Sequence, residues 1–273
     1  MDNFLQMEDP DRRFDRLQRL LGPEAMEKLR RSHVMIIGVG GVGSWAAESL
    51  ARSAVGRITL IDFDTVCIRN FNRQLQALSG TIGRQKASLL AERLRLVNPE
   101  SKIESIDTYF NHETAESIMK DRPDFVIDAI DHVTSKCFLI DYCRKNNIPL
   151  IVATGSGGRM DPTKVKAVDL GKTKYDPLAK AVRQILRTKY AFPEGDYGIL
   201  AVYSDEKVIP PQEGSEKTDC KAGCLCPQGE NEFQSCTKKN IVLGTASFVT
   251  GTFGMICAAE VVKTLAFGTA LKK

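Results

Sequence analysis

The short run His33-Val34-Met35-Ile36-Ile37 stops abruptly at Gly38-Val39-Gly40-Gly41-Val42-Gly43, and Ser44 to Ser53 then reads as a helix. Four glycines in six residues between a buried strand and a helix allow a tight turn in which backbone amides and the helix N-terminus approach an anion closely. A second strand, Arg57 to Ile61, ends at Asp62-Phe63-Asp64, so the stretch is one βαβ unit. Asp62 lies nineteen residues beyond Gly43, where a carboxylate accepts hydrogen bonds from ribose hydroxyls. The turn alone specifies a nucleotide, and with Asp62 it specifies an adenosine nucleotide. A glycine turn needed only for packing is the competing explanation.

The alternation continues with a helix near Arg84 to Val97, a strand near Lys102 to Thr108, a helix near Glu113 to Lys120 and a strand Phe125 to Ile130. A helix near Ser135 to Lys145 and a strand Pro149 to Thr154 follow. This pattern predicts an α/β fold, Rossmann-like, with a mostly parallel sheet and helices on both faces. It changes after residue 155 to Lys164 to Leu170, a helix, and Gly198 to Ser204, read as a mixed-sheet C-terminal extension. We therefore expect a single domain over 1–273, with a nucleotide-binding core at about 30–155. The remainder, about 156–273, would serve substrate and dimer contacts. A polar segment opened by Pro210-Pro211 is too long for an ordinary connection and predicts a mobile crossover loop near 206–240. A closing helix is expected near Phe253 to Leu265, and an arginine-rich amphipathic stretch occupies Arg12 to Leu21.

The cations after Asp62 separate phosphate chemistry from hydride chemistry. Arg69-Asn70-Phe71-Asn72-Arg73-Gln74 and then Lys86 follow the second strand, and a dinucleotide oxidoreductase would leave Arg73, Lys86 and Asp131 without a task. Attack of a carboxylate on an α-phosphate places negative charge on the transferring group and on departing pyrophosphate, which calls for Arg and Lys clamps and a metal. Arg73 and Lys86 suit the clamp. Asp131 closes a strand at the carboxyl end of the sheet, where ligands bind, and is suited to Mg²⁺; Asp128 reads as structural.

These residues resemble the ubiquitin-activating-enzyme superfamily, which includes the ThiF, MoeB and HesA proteins. The resemblance rests on the GVGGVG turn, the DFDTVCIRNFNRQ stretch, the later Lys86 and the strand ending in DAID, and spans about residues 34 to 131. It implies that Gly38, Gly40, Gly41, Gly43 and Asp62 bind ATP, that Asn70, Arg73 and Lys86 hold phosphates, and that Asp131 serves Mg²⁺. Arg13-Phe14-Asp15-Arg16 resembles the element whose last arginine reaches the partner's ATP in a homodimer, which makes Arg16 a catalytic candidate.

Further blocks, GVGGVGSWAAESLAR, ITLIDFDTVCIRNFNRQ, FVIDAIDHV, YCRKNNIPL, TGSGGRMDPTKV, YDPLA and FVTGTFG, are similar to the tRNA threonylcarbamoyladenosine dehydratase family over nearly the whole chain. That similarity implies ATP-dependent adenylation of the threonyl carboxylate on a modified adenosine beside the anticodon, followed by ring closure with loss of water. Holding the acyl-adenylate in a near-attack geometry suffices for such an intramolecular step, in keeping with the lack of an obvious nucleophile triad. Activation of a sulfur carrier's C-terminal glycine is the leading alternative, with a NAD-dependent oxidoreductase and a non-catalytic nucleotide-binding scaffold behind it.

A net charge of only +4 confines any RNA contact to a local patch. Lys172, Lys174, Lys180, Arg183, Arg187 and Lys189 crowd one segment, and Lys180, Arg183 and Arg187 form one helical stripe, the candidate tRNA contact. A solvated face without a partner explains the same stripe. His33, Trp45 and His132 read as structural, although His132 adjoins Asp131.

Cys220, Cys224, Cys226 and Cys236 number enough to close a zinc site, but their spacing differs from the paired C-x-x-C sites of sulfur-carrier activators. Reduced thiols on a polar loop, metal binding and sulfur handling stay open, as does a cysteine desulfurase or sulfur-acceptor partner. Cys67, Cys137, Cys143 and Cys257 sit singly among core-like residues and suit a reducing cytosol. The start carries no apolar leader, and no apolar run reaches the roughly 18 residues of a membrane span. A cytoplasmic protein without membrane contact is expected.

Overall fold

A computed structural model describes residues 12–213 and 243–268. Most of the expected crossover segment and all four clustered cysteines lie outside the described residues.

Seven strands form one sheet: β1 (His33–Ile37), β2 (Arg57–Ile61), β3 (Lys102–Ile106), β4 (Phe125–Asp128), β5 (Leu150–Ala153), β6 (Val165–Asp169) and β7 (Leu200–Ser204). Their order is β3-β2-β1-β4-β5-β7-β6. All pairs are parallel except β6 with β7, where Val165 faces Ser204 and Asp169 faces Leu200. The order reverses between β1, which continues to β2, and β4, so a crevice opens outside the carboxyl ends of these two strands. The later portion of the chain adds β6 and β7 to this same sheet.

The central strands are apolar on both faces because both faces are covered. Val34 and Ile36 of β1 enter a core shared with α2 (Pro23–Arg31), α3 (Gly43–Ala51), α4 (Lys86–Val97) and α8 (Ser247–Phe267). Met35 and Ile37 point the other way, toward α5 (Ala115–Ile118) and α6 (Val133–Lys145). A third cluster joins α6 and α7 (Pro177–Tyr190) to Val152 and Ala201. α1 (Asp15–Leu21) buries none of its residues, but Phe14 just before it is buried.

The structure departs from the sequence reading at particular places. β4 ends at Asp128, short of Ile130, because the Asp128 carboxylate accepts the Ile130 N–H at 3.0 Å and turns the chain away. The helix expected over 113–120 shrinks to the single turn of α5. α2 was not expected; Pro23 sits in its first turn and Ala25, Met26 and Leu29 form its buried side. α8 starts at Ser247, ahead of the expected Phe253, and by length and average composition alone is long and apolar enough to cross a membrane, although no unbroken apolar run in it reaches 18 residues. Thr250, Thr252, Glu260, Lys263 and Thr264 interrupt its apolar runs without lowering its average enough to fail that test. Its position accounts for its composition, since it packs on α3 and a helix apolar on most sides belongs in a core. A Cβ at Gly254 would lie 2.4 Å from Val42 O, and one at Gly251 would touch the Trp45 ring at 3.4 Å, so the glycines of FVTGTFG permit this close approach.

Candidate active site

The glycine turn follows β1 and leads into α3 at the switch point. Gly38 adopts φ +90°, and a Cβ there would stand 2.7 Å from Ala129 O. A Cβ at Gly43 would stand 1.9 Å from Gly38 O, so the turn closes only with glycine at that position. Nothing within 3.7 Å would oppose a Cβ at Gly40, which leaves its backbone open on the crevice side.

Asp62, at the end of β2, accepts Val39 N–H at 2.8 Å and Asp64 N–H at 2.9 Å, which ties the second strand end to the glycine turn. Burial pushes the Asp62 carboxyl up, and the Lys86 charge opposes that shift. Lys86 opens α4, is 6% exposed, and donates to Asp64 Oδ2 at 2.8 Å. An antiparallel bridge between Thr65 and Gln85, with Lys86 N–H on Asp64 O at 3.0 Å, brings these distant residues together. Burial acts to lower the Lys86 pKa, but the Asp62, Asp64 and Asp131 charges outweigh it and raise the value.

Arg73 approaches from the segment after β2. Its methylene stem would lie 3.2 Å from a Cβ at Gly41, so Gly41 gives the side chain its path across the turn. Trp45 Nε1 donates to Arg73 O at 3.1 Å, and Arg73 Nη1 donates to Arg69 O at 2.7 Å and Asn72 Oδ1 at 3.0 Å. Burial lowers the Arg73 pKa and Asp131 opposes it. Asn70 is buried, and its Oδ1 accepts Cys67 N–H at 2.9 Å, which leaves its amide NH₂ as the donor end. Asp131 is exposed beyond β4 and electrostatically coupled to both Arg73 and Lys86. These contacts link Asp62, Arg73 and Lys86 to the turn of Gly38, Gly40, Gly41 and Gly43 at the switch point; Asn70 O accepts the Arg73 N–H at 3.1 Å, and Asp131 is coupled electrostatically to both cations.

Three buried amide oxygens near this crevice, on Gln74, Gln76 and Gln85, have no hydrogen-bond partner. Gln76 Nε2 holds Val39 O at 2.7 Å, and Gln74 Nε2 would lie 3.7 Å from a Cβ at Gly40. Unpaired buried acceptors beside a glycine turn fit a site that receives polar ligand groups.

Other expected residues lie elsewhere. Arg16 is exposed on α1, a helix that buries none of its residues. Arg183 turns inward, donating to Leu170 O at 3.4 Å and to Thr173 Oγ1. Arg187 pairs with Glu194 at 3.6 Å, and Lys180 is exposed on the same helix. His132 caps α6 through Ser135 N–H and meets Tyr109 OH at 3.1 Å. His33 Nε2 bonds Thr59 Oγ1 at 2.8 Å. Asp128 is fully buried and pairs with buried Lys136 at 2.8 Å.

Sequence reasoning missed Asp64 as the partner of Lys86 and Lys136 as the partner of Asp128. The first pair was signalled by the D-x-D spacing at the strand end. The second lies eight residues apart across a strand–turn–helix junction, and nothing in the residue types marks it.

An arrangement of glycine amides, two cations and a strand-end carboxylate can hold a triphosphate and stabilise charge on its α-phosphate and leaving group. Comparison with known proteins accords with this reading. The ThiF family profile matches residues 14–272. The tRNA threonylcarbamoyladenosine dehydratase of Haemophilus influenzae is 40% identical over 258 residues, covering 93% of this chain and 94% of that one. The crystal structure of the Escherichia coli tRNA N6-threonylcarbamoyladenosine dehydratase in complex with ATP superposes with a TM-score of 0.80 at 35% identity, covering 96% of this chain and 97% of that one. The same protein in complex with AMP gives a TM-score of 0.81 at 36% identity, covering 93% and 94%.

Proposed function

The chain belongs to the ThiF family, and from that premise we propose that it is an ATP-dependent tRNA threonylcarbamoyladenosine dehydratase. The observation that carries the chemistry is that Arg73 lies over Gly41 of the glycine turn, while Lys86 is held by Asp64 next to Asp62, whose carboxylate accepts the Val39 N–H of that turn. Similarity along 93% of this chain to a dehydratase of nearly equal extent supports the choice of substrate.

The threonyl carboxylate oxygen attacks the α-phosphorus of ATP, the bond to the bridging oxygen breaks, and pyrophosphate leaves. The Gly40 and Gly41 backbone receives phosphate oxygens, and Asp62 accepts from the ribose. Lys86 and Arg73 lie where negative charge grows, which lowers the barrier because their positions are set before the reaction. The carbamoyl group then attacks the acyl carbon, loses a proton and expels AMP, so the ring closes and the base has lost one water. No enzyme nucleophile is needed, and the crevice contributes by holding the two reacting groups together.

Asp131 is the residue that would hold Mg²⁺. The described residues contain no three-ligand metal cluster, and Mg²⁺ carried by phosphates and waters needs only one or two carboxylates. When bound, the ion neutralises charge on the departing pyrophosphate. Arg16, exposed outside its own crevice, suits service to a second copy in a homodimer. A cytoplasmic location accords with a tRNA substrate.

ATP–pyrophosphate exchange tests the reading. Exchange that appears on addition of threonylcarbamoyladenosine-modified tRNA supports it. Exchange that appears only with a ubiquitin-like sulfur carrier would transfer the assignment to carrier activation.

A further inference from the structure

A second concave site lies at the β6 edge of the sheet, away from the glycine turn. It is a cavity of about 590 Å³ whose wall carries four lysines, Lys164, Lys166, Lys172 and Lys174, two tyrosines, Tyr175 and Tyr203, and a single carboxylate, Asp205. Asp205 is already engaged by Lys166. Lys172 reaches only the exposed Asp196, at 3.1 Å. The cavity is strongly cationic in a protein of nearly balanced charge, and so selects a polyanion.

Tyr175 supplies the second, independent observation. The residue is 58% exposed, the Lys207 ammonium lies 5.9 Å from its ring centroid, and its backbone takes φ +56°, a left-handed conformation uncommon for a residue with a bulky side chain. The surrounding structure enforces that conformation. Next along the chain, buried Asp176 accepts Gly155 N–H at 2.8 Å and Ala179 N–H at 2.9 Å. From below, Arg159 donates Nη2 to Tyr175 O at 2.9 Å. Arg159 is only 2% exposed, and its Nε and Nη1 have no partner. A buried guanidinium with one of its three nitrogens bonded is costly, and that one hydrogen bond goes to the carbonyl that fixes the Tyr175 turn. The fold thus presents an aromatic ring at the mouth of a lysine-lined cavity.

The location relates this cavity to the crevice. Gly155 and Arg159 follow the carboxyl end of β5, Asp205 follows that of β7, and Lys164, whose carbonyl accepts the Asp205 N–H, precedes the antiparallel β6, so this part of the wall lies at the end of the sheet that carries Gly38, Asp62 and Asp131, whereas Lys172 lies past the other end of β6. Three strand spacings separate β4 from β6, roughly 14 Å at about 4.8 Å each. A few nucleotides cover that span.

Resting on the dehydratase reading, we infer that this cavity binds the single-stranded RNA that flanks the modified adenosine, with a base stacked on Tyr175 and phosphates on the lysines. A duplex hides the faces of its bases, whereas an unpaired loop offers them to an aromatic side chain. Arg183 on α7 turns inward to Leu170 O and Thr173 Oγ1 and so takes no part in this contact.

The test uses the full chain and threonylcarbamoyladenosine-modified tRNA, with affinity read by fluorescence anisotropy over a range of salt. Tyr175→Ala is expected to weaken tRNA binding by about 5- to 100-fold, the scale of losing one stacked base. Tyr175→Phe keeps the ring face and is expected to bind as the unaltered protein does. Lys164→Ala combined with Lys174→Ala is expected to reduce the slope of log affinity against log salt by about 1.4, from about 0.7 per single-strand phosphate. ATP affinity, measured in parallel, stays unchanged in all of them. Altered chains that bind the tRNA as tightly as the original, with the same salt slope, overturn the cavity assignment and leave the dehydratase reading standing. An unaltered chain that neither binds nor dehydrates the tRNA overturns both.

Discussion

The Lys86 ammonium lies 2.8 Å from Asp64 Oδ2, and Asp62 and Asp131 add their fields to the same cation. Phosphate would thus meet a lysine that is charged, nearly buried and already aimed. Lys86→Ala removes this charge and strands two carboxylates, so ATP–pyrophosphate exchange should fall by about 10²-fold or more, with a lowered melting temperature. Asp64→Asn keeps an acceptor but not the charge, and should cost about tenfold in kcat without that loss of stability. Exchange at the original rate in Lys86→Ala would remove the lysine from the mechanism.

Arg73 gives the cleaner kinetic test. Its side chain makes only local bonds, to Arg69 O and Asn72 Oδ1, and lies over Gly41. Arg73→Ala should therefore lower kcat by about 10²-fold with an unchanged melting temperature. Trp45→Phe, which removes the Nε1 bond to Arg73 O, should cost only a few-fold, on the order of one neutral hydrogen bond. An equal loss in both would point to collapse of the turn, and circular dichroism would show it.

The extent to which this site could be read from sequence follows from how its parts are connected. Gly38 to Gly43 and Asp62 sit at consecutive strand ends, so local periodicity located them. Asp131 was found as a strand end, although β4 itself stops at Asp128. The Lys86 pairing depends on a bridge between Thr65 and Gln85 that no local pattern encodes. α2 escaped because five of the nine residues in PEAMEKLRR are charged, and only Ala25, Met26 and Leu29 reveal its inner side. Nothing in the residue types predicts that Arg159 is buried or that Tyr175 has a positive φ, because both depend on what tertiary packing places around residues 155 to 176.

Beneath the crevice, Lys136 pairs with Asp128 at 2.8 Å in full burial. Burial pushes the Asp128 carboxyl up and Lys136 opposes it. Lys136→Met leaves Asp128 uncompensated and should cost about 3–5 kcal/mol in urea unfolding. Adding Asp128→Asn should restore a large part of that loss, because no buried charge is then left alone. A double substitution as unstable as the single one would show that the pair acts through shape and not through charge.

His33 is held neutral: burial, and then the Arg57 charge, lower its pKa from 6.5 to about 4. The unfolded chain takes up a proton near 6.5 and the folded chain only near 4. This contribution is therefore complete above 6.5 and is lost as pH falls from 6.5 to about 4. After a discount for partial solvent access the loss is on the order of 2 kcal/mol. His33→Gln, which can keep the contact to Thr59, should have a shallower stability profile over this range, measured by urea unfolding at a series of pH values. Parallel profiles for the two proteins would contradict the assignment.

The dehydration itself tests the central claim most directly. The purified protein is incubated with Mg-ATP and threonylcarbamoyladenosine-modified tRNA, and the nucleosides are analysed by mass spectrometry. The prediction is loss of one water from the modified adenosine that requires ATP and is about 10²-fold slower in Arg73→Ala. Intact modified adenosine after incubation with protein that binds ATP, or water loss that proceeds equally without Arg73, would contradict it.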